Sequence, residues 1–186
     1  MIKLERLGID GIYKVIHPYH HDGRGKFIKV FQRSWFENMG LESDFAEVYY
    51  SVSKKNVIRG MHFQNKPYDH VKMVHVVHGE ILDVILDLRR SSPSFGKYVT
   101  VNLSDADRSS IYISKGFGHG FLTLSKEAVV LYKTSSEYNP RADTGIRWDS
   151  FGFNWLGIDE PIISERDNQL ISLLEYTEYE KSLSDW

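Results

Sequence analysis

HVKMVHVVHGEILDVILDLRR, residues 70–90, is the stretch whose reading decides the fold. VKMVHVV (71–77) and EILDVILDL (80–88) are dense in Val, Ile and Leu and read as strands, with His78-Gly79 between them as a hairpin turn. A period of two puts His70, Lys72, Val74 and Val76 on one face of the first strand, and Val71, Met73, His75 and Val77 on the other. Both faces carry apolar residues, so the strand is expected to be covered on both sides. Lys72 then either snorkels at a strand end or needs an anionic or polar partner.

Outward from this pair the same signal recurs in FIKVF (27–31), YVTVNL (98–103), SIYI (110–113), GFLTL (120–124) and AVVLYKT (128–134), separated by Gly, Ser, Asn and Asp. That pattern suits an antiparallel sandwich or barrel. Helices are minor: SWFENMG (34–40) has Ser34 placed to cap and Gly40 to stop it, and a C-terminal helix is expected from Ser164 through DNQLISLLEY. Long helices do not alternate with the strands, so the expected class is all-β with short helices, as one domain over 1–186.

With 186 residues the chain can bury about 70% of the surface it would expose unfolded. Its 23 basic and 25 acidic residues leave a net charge of −2, which recruits neither nucleic acid nor a membrane, so any anion must be held by local clusters. The absence of cysteine excludes disulfides and thiolate chemistry. No apolar run approaches a membrane span, the start lacks a signal-peptide pattern, and the chain reads as cytoplasmic.

Polar groups gather beyond what packing needs in VIRGMHFQ (57–64), where Arg59 and His62 sit in an otherwise apolar strand. Gly60 between them removes a side chain, as if to let another molecule come close. SKGFGHGF (114–121) spaces its glycines unlike a dinucleotide loop and precedes a strand, which leaves a Gly-rich turn delivering His119. Tyr132 shares a face with Val130 and Thr134. Asp167 stands in Ser164-Glu165-Arg166-Asp167, whose S-x-x-D spacing reads as a capping box. The histidine groups 17/20/21 and 75/78 match no known zinc spacing, and a metal would need ligands from distant strands.

In chain order DGRGKFIKVF, VIRGMHFQ, HVKMVHVVHGEILDVILDLRRSSPSFGKYV, ISKGFGHGFL, VVLYKTSSEYNP, GIRWD and ISERD resemble the successive motifs of the dTDP-4-dehydrorhamnose 3,5-epimerase family, over roughly residues 10–170. The resemblance implies a metal-free, cofactor-independent cupin, a jelly-roll β-barrel usually found as a homodimer, acting on a nucleotide-diphosphate-linked 4-keto sugar. By position it implies that His62 is the general base and Asp167 its partner, that Lys72 stands beside the reacting carbonyl, and that Tyr132 is the acid on the opposite face. Arg24, Arg59 and His119 fall at substrate-binding positions, the arginines towards the diphosphate. Tyr138 falls where an aromatic stacks on the base, Arg166 where lysine is common, and Asp143 where glutamate is common.

Three further residues depart from the family pattern, at positions where the family contacts the nucleotide. Lys29 replaces a glutamate after the R-G, and Glu47 and Tyr49 replace Q-x-N before the serine. A Lys29/Glu47 pair could read cytosine, which would make the chain a C5-epimerase of a CDP-linked 3,6-dideoxy-4-hexulose. Alternatively the two pair with each other and dTDP preference stands. Two readings from other classes are a non-catalytic nucleotide-sugar-binding cupin, which could dispense with Tyr132 or Lys72, and a metal-dependent cupin.

Overall fold

The computed structural model describes residues 1–158 and 160–184, with side chains only as far as 179 and from there the backbone alone. Residues 80–88 show why the chain builds two layers. In strand β8 (Glu80–Asp87), Ile81 and Ile85 face the core between the sheets, whereas Leu82, Val84 and Leu86 face a second core outside. A strand apolar on both faces has to be covered on both.

Two antiparallel sheets form the sandwich. One has the order β1 (Lys3–Arg6), β2 (Ile12–Ile16), β10 (Ser109–Ile113), β7 (Lys72–His78), β12 (Glu127–Thr134), β5 (Glu47–Lys54). The other runs β13 (Asp143–Gly145), β6 (Ile58–Gln64), β11 (Phe117–Thr123), β8, β9 (Tyr98–Ser104). A separate hairpin, β3 (Tyr19–Asp22) with β4 (Gly25–Ile28), stands apart. Ile12, Val74, Val76, Ile111 and Val130 meet Ile81, Ile85, Leu103, Phe117 and Phe121 between the layers. Outside the first sheet, Val15, Met73 and Tyr112 pack under Phe36 of α1 (Arg33–Glu37). Outside the second, Leu82, Val84, Leu86 and Leu122 pack under Ile146, Phe151, Trp155 and Tyr176. Each fully buried large side chain contributes about 1.5–3 kcal/mol. Among the described residues no helix is long and apolar enough to cross a membrane.

Several expectations are corrected. His78-Gly79 is no hairpin: β7 pairs with β10 and β12, whereas β8 pairs with β11 and β9, so Gly79, at φ +81°, carries the chain from one sheet to the other. Ser34 does not cap α1; the N-cap is Gln32, whose amide donates to Ser34 Oγ at 3.0 Å. The C-terminal helix is two pieces, α2 (Glu165–Asn168) and α3 (Leu173–Ser184). FIKVF is strand only to Ile28, and GFGHGF is strand from Phe117 onward, so His119 sits inside β11 and not on a turn.

Candidate functional site

A cavity of about 450 Å³ opens between the two sheets. The six-stranded sheet lends it Glu47, Tyr49 and Ser51 from β5, Lys72 from β7 and Tyr132 from β12; the five-stranded sheet lends Arg59 and His62 from β6, His119 from β11 and Asp143 from β13. Tyr138 and Arg166 complete the mouth. The inward row of β5 is therefore polar, and Val48, Tyr50 and Val52 point out to solvent. This inverted alternation hides the strand from a hydrophobic pattern.

His62 Nε2 lies 2.7 Å from Asp167 Oδ1. Asp167 Oδ2 accepts the Gly60 N–H at 3.1 Å, and the Asp167 N–H donates to Ser164 Oγ at 3.1 Å. The S-x-x-D signal thus serves twice, on different atoms: the backbone of Asp167 is capped by Ser164, and its carboxylate turns to the histidine. Burial opposes the charge on Asp167, but the bonds from His62, Gly60 and Ser164 outweigh it and hold the carboxyl below its usual value. With Nε2 tied to the carboxylate, Nδ1 is the nitrogen left to the cavity. Gly60 makes room for protein and not for a ligand: a Cβ there would lie 2.5 Å from Gly120 Cα of β11, and φ is +126°.

Beside His62, in register on the next strand, stands His119, with Nε2 2.7 Å from Asp83 Oδ1. Burial holds the His119 imidazole below its ordinary value although Asp83 pulls the other way. Asp83 is fully buried, its Oδ2 is without a hydrogen-bond partner among the described residues, and sequence reasoning missed it. The signal was there: Asp83 interrupts the inward face between Ile81 and Ile85. Lys72 is 8% exposed; burial pushes its ammonium down to about 8 against the attraction of Asp83 and Asp143. Tyr132 Oη lies 3.2 Å from Ser51 Oγ, and burial pushes the phenol well above its usual range, an effect the Ser51 bond partly opposes. Ser51 was not anticipated either.

Arg59 donates from Nε to Ser53 Oγ at 2.9 Å and from Nη2 to the Val52 carbonyl at 3.3 Å. Arg166 pairs with Asp143 at 2.6 Å. The exposed Tyr138 donates its backbone N–H to Glu47 Oε2 at 3.1 Å. Two expected positions are not brought here. Arg24 is in the exposed β3–β4 hairpin, where its guanidinium forks onto Asp22. Lys29 bonds Gln32 at 3.3 Å and lies over Trp35, so it neither lines the cavity nor meets Glu47, and the cytosine reading loses half of its pair, as does the alternative of mutual pairing. Of the histidine groups, His17 and His75 meet through Ser110, at 2.7 and 3.2 Å. Among the described residues no three His, Asp or Glu side chains converge as a metal-ion shell.

The family model described as dTDP-4-dehydrorhamnose 3,5-epimerase matches residues 6–175. A protein of that description from Methanothermobacter thermautotrophicus is 40% identical over 179 residues, 94% of this chain and 96% of its own length. The fold superposes at a TM-score of 0.89 on the dTDP-6-deoxy-D-glucose-3,5-epimerase of Legionella pneumophila in complex with dTDP-4-keto-L-rhamnose, at 31% identity and covering 94% of both chains. A 3'-monoepimerase from Streptomyces bikiniensis in complex with dTDP-quinovose superposes at 0.88, with 28% identity over 95% of this chain and 90% of its own. Sandwich, cavity and sequence agree: the chain belongs to the dTDP-4-dehydrorhamnose 3,5-epimerase family of carbohydrate isomerases.

Proposed function

We propose that this protein inverts C3 and C5 of a dTDP-linked 4-keto-6-deoxyhexose by proton transfer through an enolate. The observation that carries this reading is that His62 and Tyr132 enter one cavity from opposite sheets. Both carbons are α to the ketone, so either loses a proton readily once the enolate is stabilised. His62 Nδ1 takes the proton from one face, the C–H electrons pass into the enolate, and the ketone oxygen becomes the charged atom. Lys72 stands where that charge develops, and loss of one such donor costs about 2.7–4 kcal/mol of transition-state stabilisation. Tyr132 returns a proton from the other face, and the centre is inverted. Asp167 orients the imidazole and stabilises its charged form. Arg59, Arg166 and Tyr138 hold the nucleotide diphosphate, whose binding energy keeps the ring between the two walls.

Incubation with a dTDP-linked 4-keto-6-deoxyhexose in heavy water, followed by NMR, tests it. Deuterium at both C3 and C5 with inverted coupling constants is expected. Label at C3 alone would make the protein a monoepimerase, and no label would remove the enolate. Calorimetry with dTDP, CDP and UDP is expected to rank dTDP first; a CDP preference would overturn the carrier.

We infer that the working unit is a homodimer. Val48, Tyr50 and Val52, 55%, 66% and 49% exposed, form an outward apolar row on edge strand β5, and Val77 of β7 is also open. A second copy of this chain fits such a face. Light scattering is expected to give a dimer mass for the native chain and a monomer for Tyr50→Asp.

A further inference from the structure

We propose that β5 supplies a two-residue bracket, Tyr49 and Ser51, that holds Tyr132 in its proton-donating pose and so sets how often an enolate is inverted and how often it reverts. The inference rests on the reading that Tyr132 is the acid. Tyr49 and Tyr132 are direct partners in the β12–β5 register, so their side chains share the inward face. Their rings stack at 4.9 Å between centroids and 20° between planes, an offset pair that fixes the plane of the phenol. The His119 ring closes in at 6.2 Å and 70°. Ser51, two residues along the same row of β5, ties down the hydroxyl at 3.2 Å. Ring plane and hydroxyl position are thus both set by one strand. Tyr49 stands where the family pattern carries asparagine, which has no ring to stack, so this half of the bracket distinguishes the chain from that pattern.

The chemistry makes the pose decisive. An enolate between the walls has two fates. The protonated His62 can return a proton to the face it came from, which exchanges the hydrogen with solvent and changes nothing else. Alternatively the Tyr132 O–H bond breaks, a C–H bond forms on the far face with the enolate's electron pair, and a phenolate is left. For that step the Tyr132 proton must point at the carbon, so its oxygen has to accept from Ser51 Oγ–H. The same donor then meets the phenolate charge until a solvent proton restores the phenol. A misplaced phenol leaves the first fate untouched and slows the second, because proton transfer demands near-contact alignment.

The test is the ratio of solvent exchange without inversion to inversion, read by NMR in heavy water. The variants are Tyr49→Phe, Tyr49→Asn and Ser51→Ala, with Tyr132→Phe as the limit. Ser51→Ala is expected to raise the ratio about tenfold, the effect of one hydrogen bond. Tyr49→Asn is expected to raise it about 3- to 10-fold, and Tyr49→Phe, which keeps the ring, to leave it within about twofold of wild type. Exchange and inversion falling together in both Tyr49→Asn and Ser51→Ala would overturn the bracket, as would a rise in KM alone, which marks a nucleotide contact. If Tyr49→Asn fails to fold, Ser51→Ala, which removes a single oxygen, decides. Wild-type inversion in Tyr132→Phe would instead remove the acid assignment, so failure of the bracket and failure of the underlying mechanism read differently.

Discussion

Two histidines lie in register on neighbouring strands, each joined Nε2 to an aspartate Oδ1 at 2.7 Å, yet the two pairs live in different solvents. The His62 side chain is 29% exposed and its Asp167 5%; His119 is 4% exposed and its Asp83 0%. The bond alone therefore does not make a base. An imidazole that accepts a substrate proton must become a cation, and burial opposes that at His119, whereas His62, on the same cavity, is open to solvent. The buried pair instead contributes structure and a fixed charge close to Lys72.

Truncating each histidine should break the comparison most sharply. His62→Ala is expected to lower deuterium wash-in at C3 and C5 by about 10²–10⁴-fold with its thermal midpoint nearly unchanged, since it removes the proposed base. His119→Ala is expected to leave wash-in measurable and to cost about 3–5 kcal/mol of stability in denaturant titration, because it strands the carboxylate of Asp83 in the core. If the two variants exchange their phenotypes, the roles assigned to the two pairs are wrong.

Lys72 lines the same cavity as both histidines and gives the next effect. Lys72→Met is expected to reduce kcat about 10²–10³-fold, the loss of one donor to the enolate oxygen. The same change should stabilise the fold at neutral pH, because a desolvated ammonium leaves and a chain of similar volume replaces it. The folded chain lowers this group from 10.5 to about 8, so the unfolded state binds more protons between those values and stability rises with pH across that window. Melting curves from pH 7 to 10 should show the rise in wild type and not in Lys72→Met. In the proposed mechanism the ammonium is the active form, and kcat/KM, which reads the free protein, should fall as pH passes about 8.

What sequence made legible follows the same division between apolar and polar faces. Strands β7, β8 and β12 announce themselves because both their faces carry Val, Ile, Leu or Met, although only β8 buries them throughout on both. Strand β5 does not, because Glu47, Tyr49 and Ser51 of its inward row line the cavity and its apolar row faces out, the reverse of the usual pattern. His62, Lys72, Tyr132 and Asp167 are picked out together only by motif resemblance, since their separations of 10 to 105 residues carry no local signal; the fold brings them to one cavity or behind it. Asp83 and Ser51 were missed because each acts through a neighbour, Asp83 on His119 and Ser51 on Tyr132, and nothing along the chain records such a contact. Arg24 and Lys29 differ for the opposite reason: motif order assigns them to the substrate, whereas their segment forms a hairpin and loop away from this chain's own cavity.

The smallest predicted effect is the most discriminating between the two carboxylates. Asp167→Asn should act on His62, lowering wash-in about 10- to 100-fold at every pH, because a neutral amide supports the imidazolium poorly. Asp83→Asn should act elsewhere. Its Oδ1 can still accept from His119 Nε2, and the oxygen replaced by nitrogen is one that bonds nothing among the described residues, so shape and hydrogen bonding change little. What disappears is a buried negative charge that favours the Lys72 ammonium. Without it Lys72 must lose its proton at a lower pH, so the alkaline limb of kcat/KM should move towards neutrality while its value at pH 6 to 6.5, where the ammonium is still intact, stays within a few-fold of wild type. A profile of kcat/KM against pH for the two proteins reads this directly. A limb that stays in place with a uniformly lowered rate would assign Asp83 to His119 alone and detach it from the lysine.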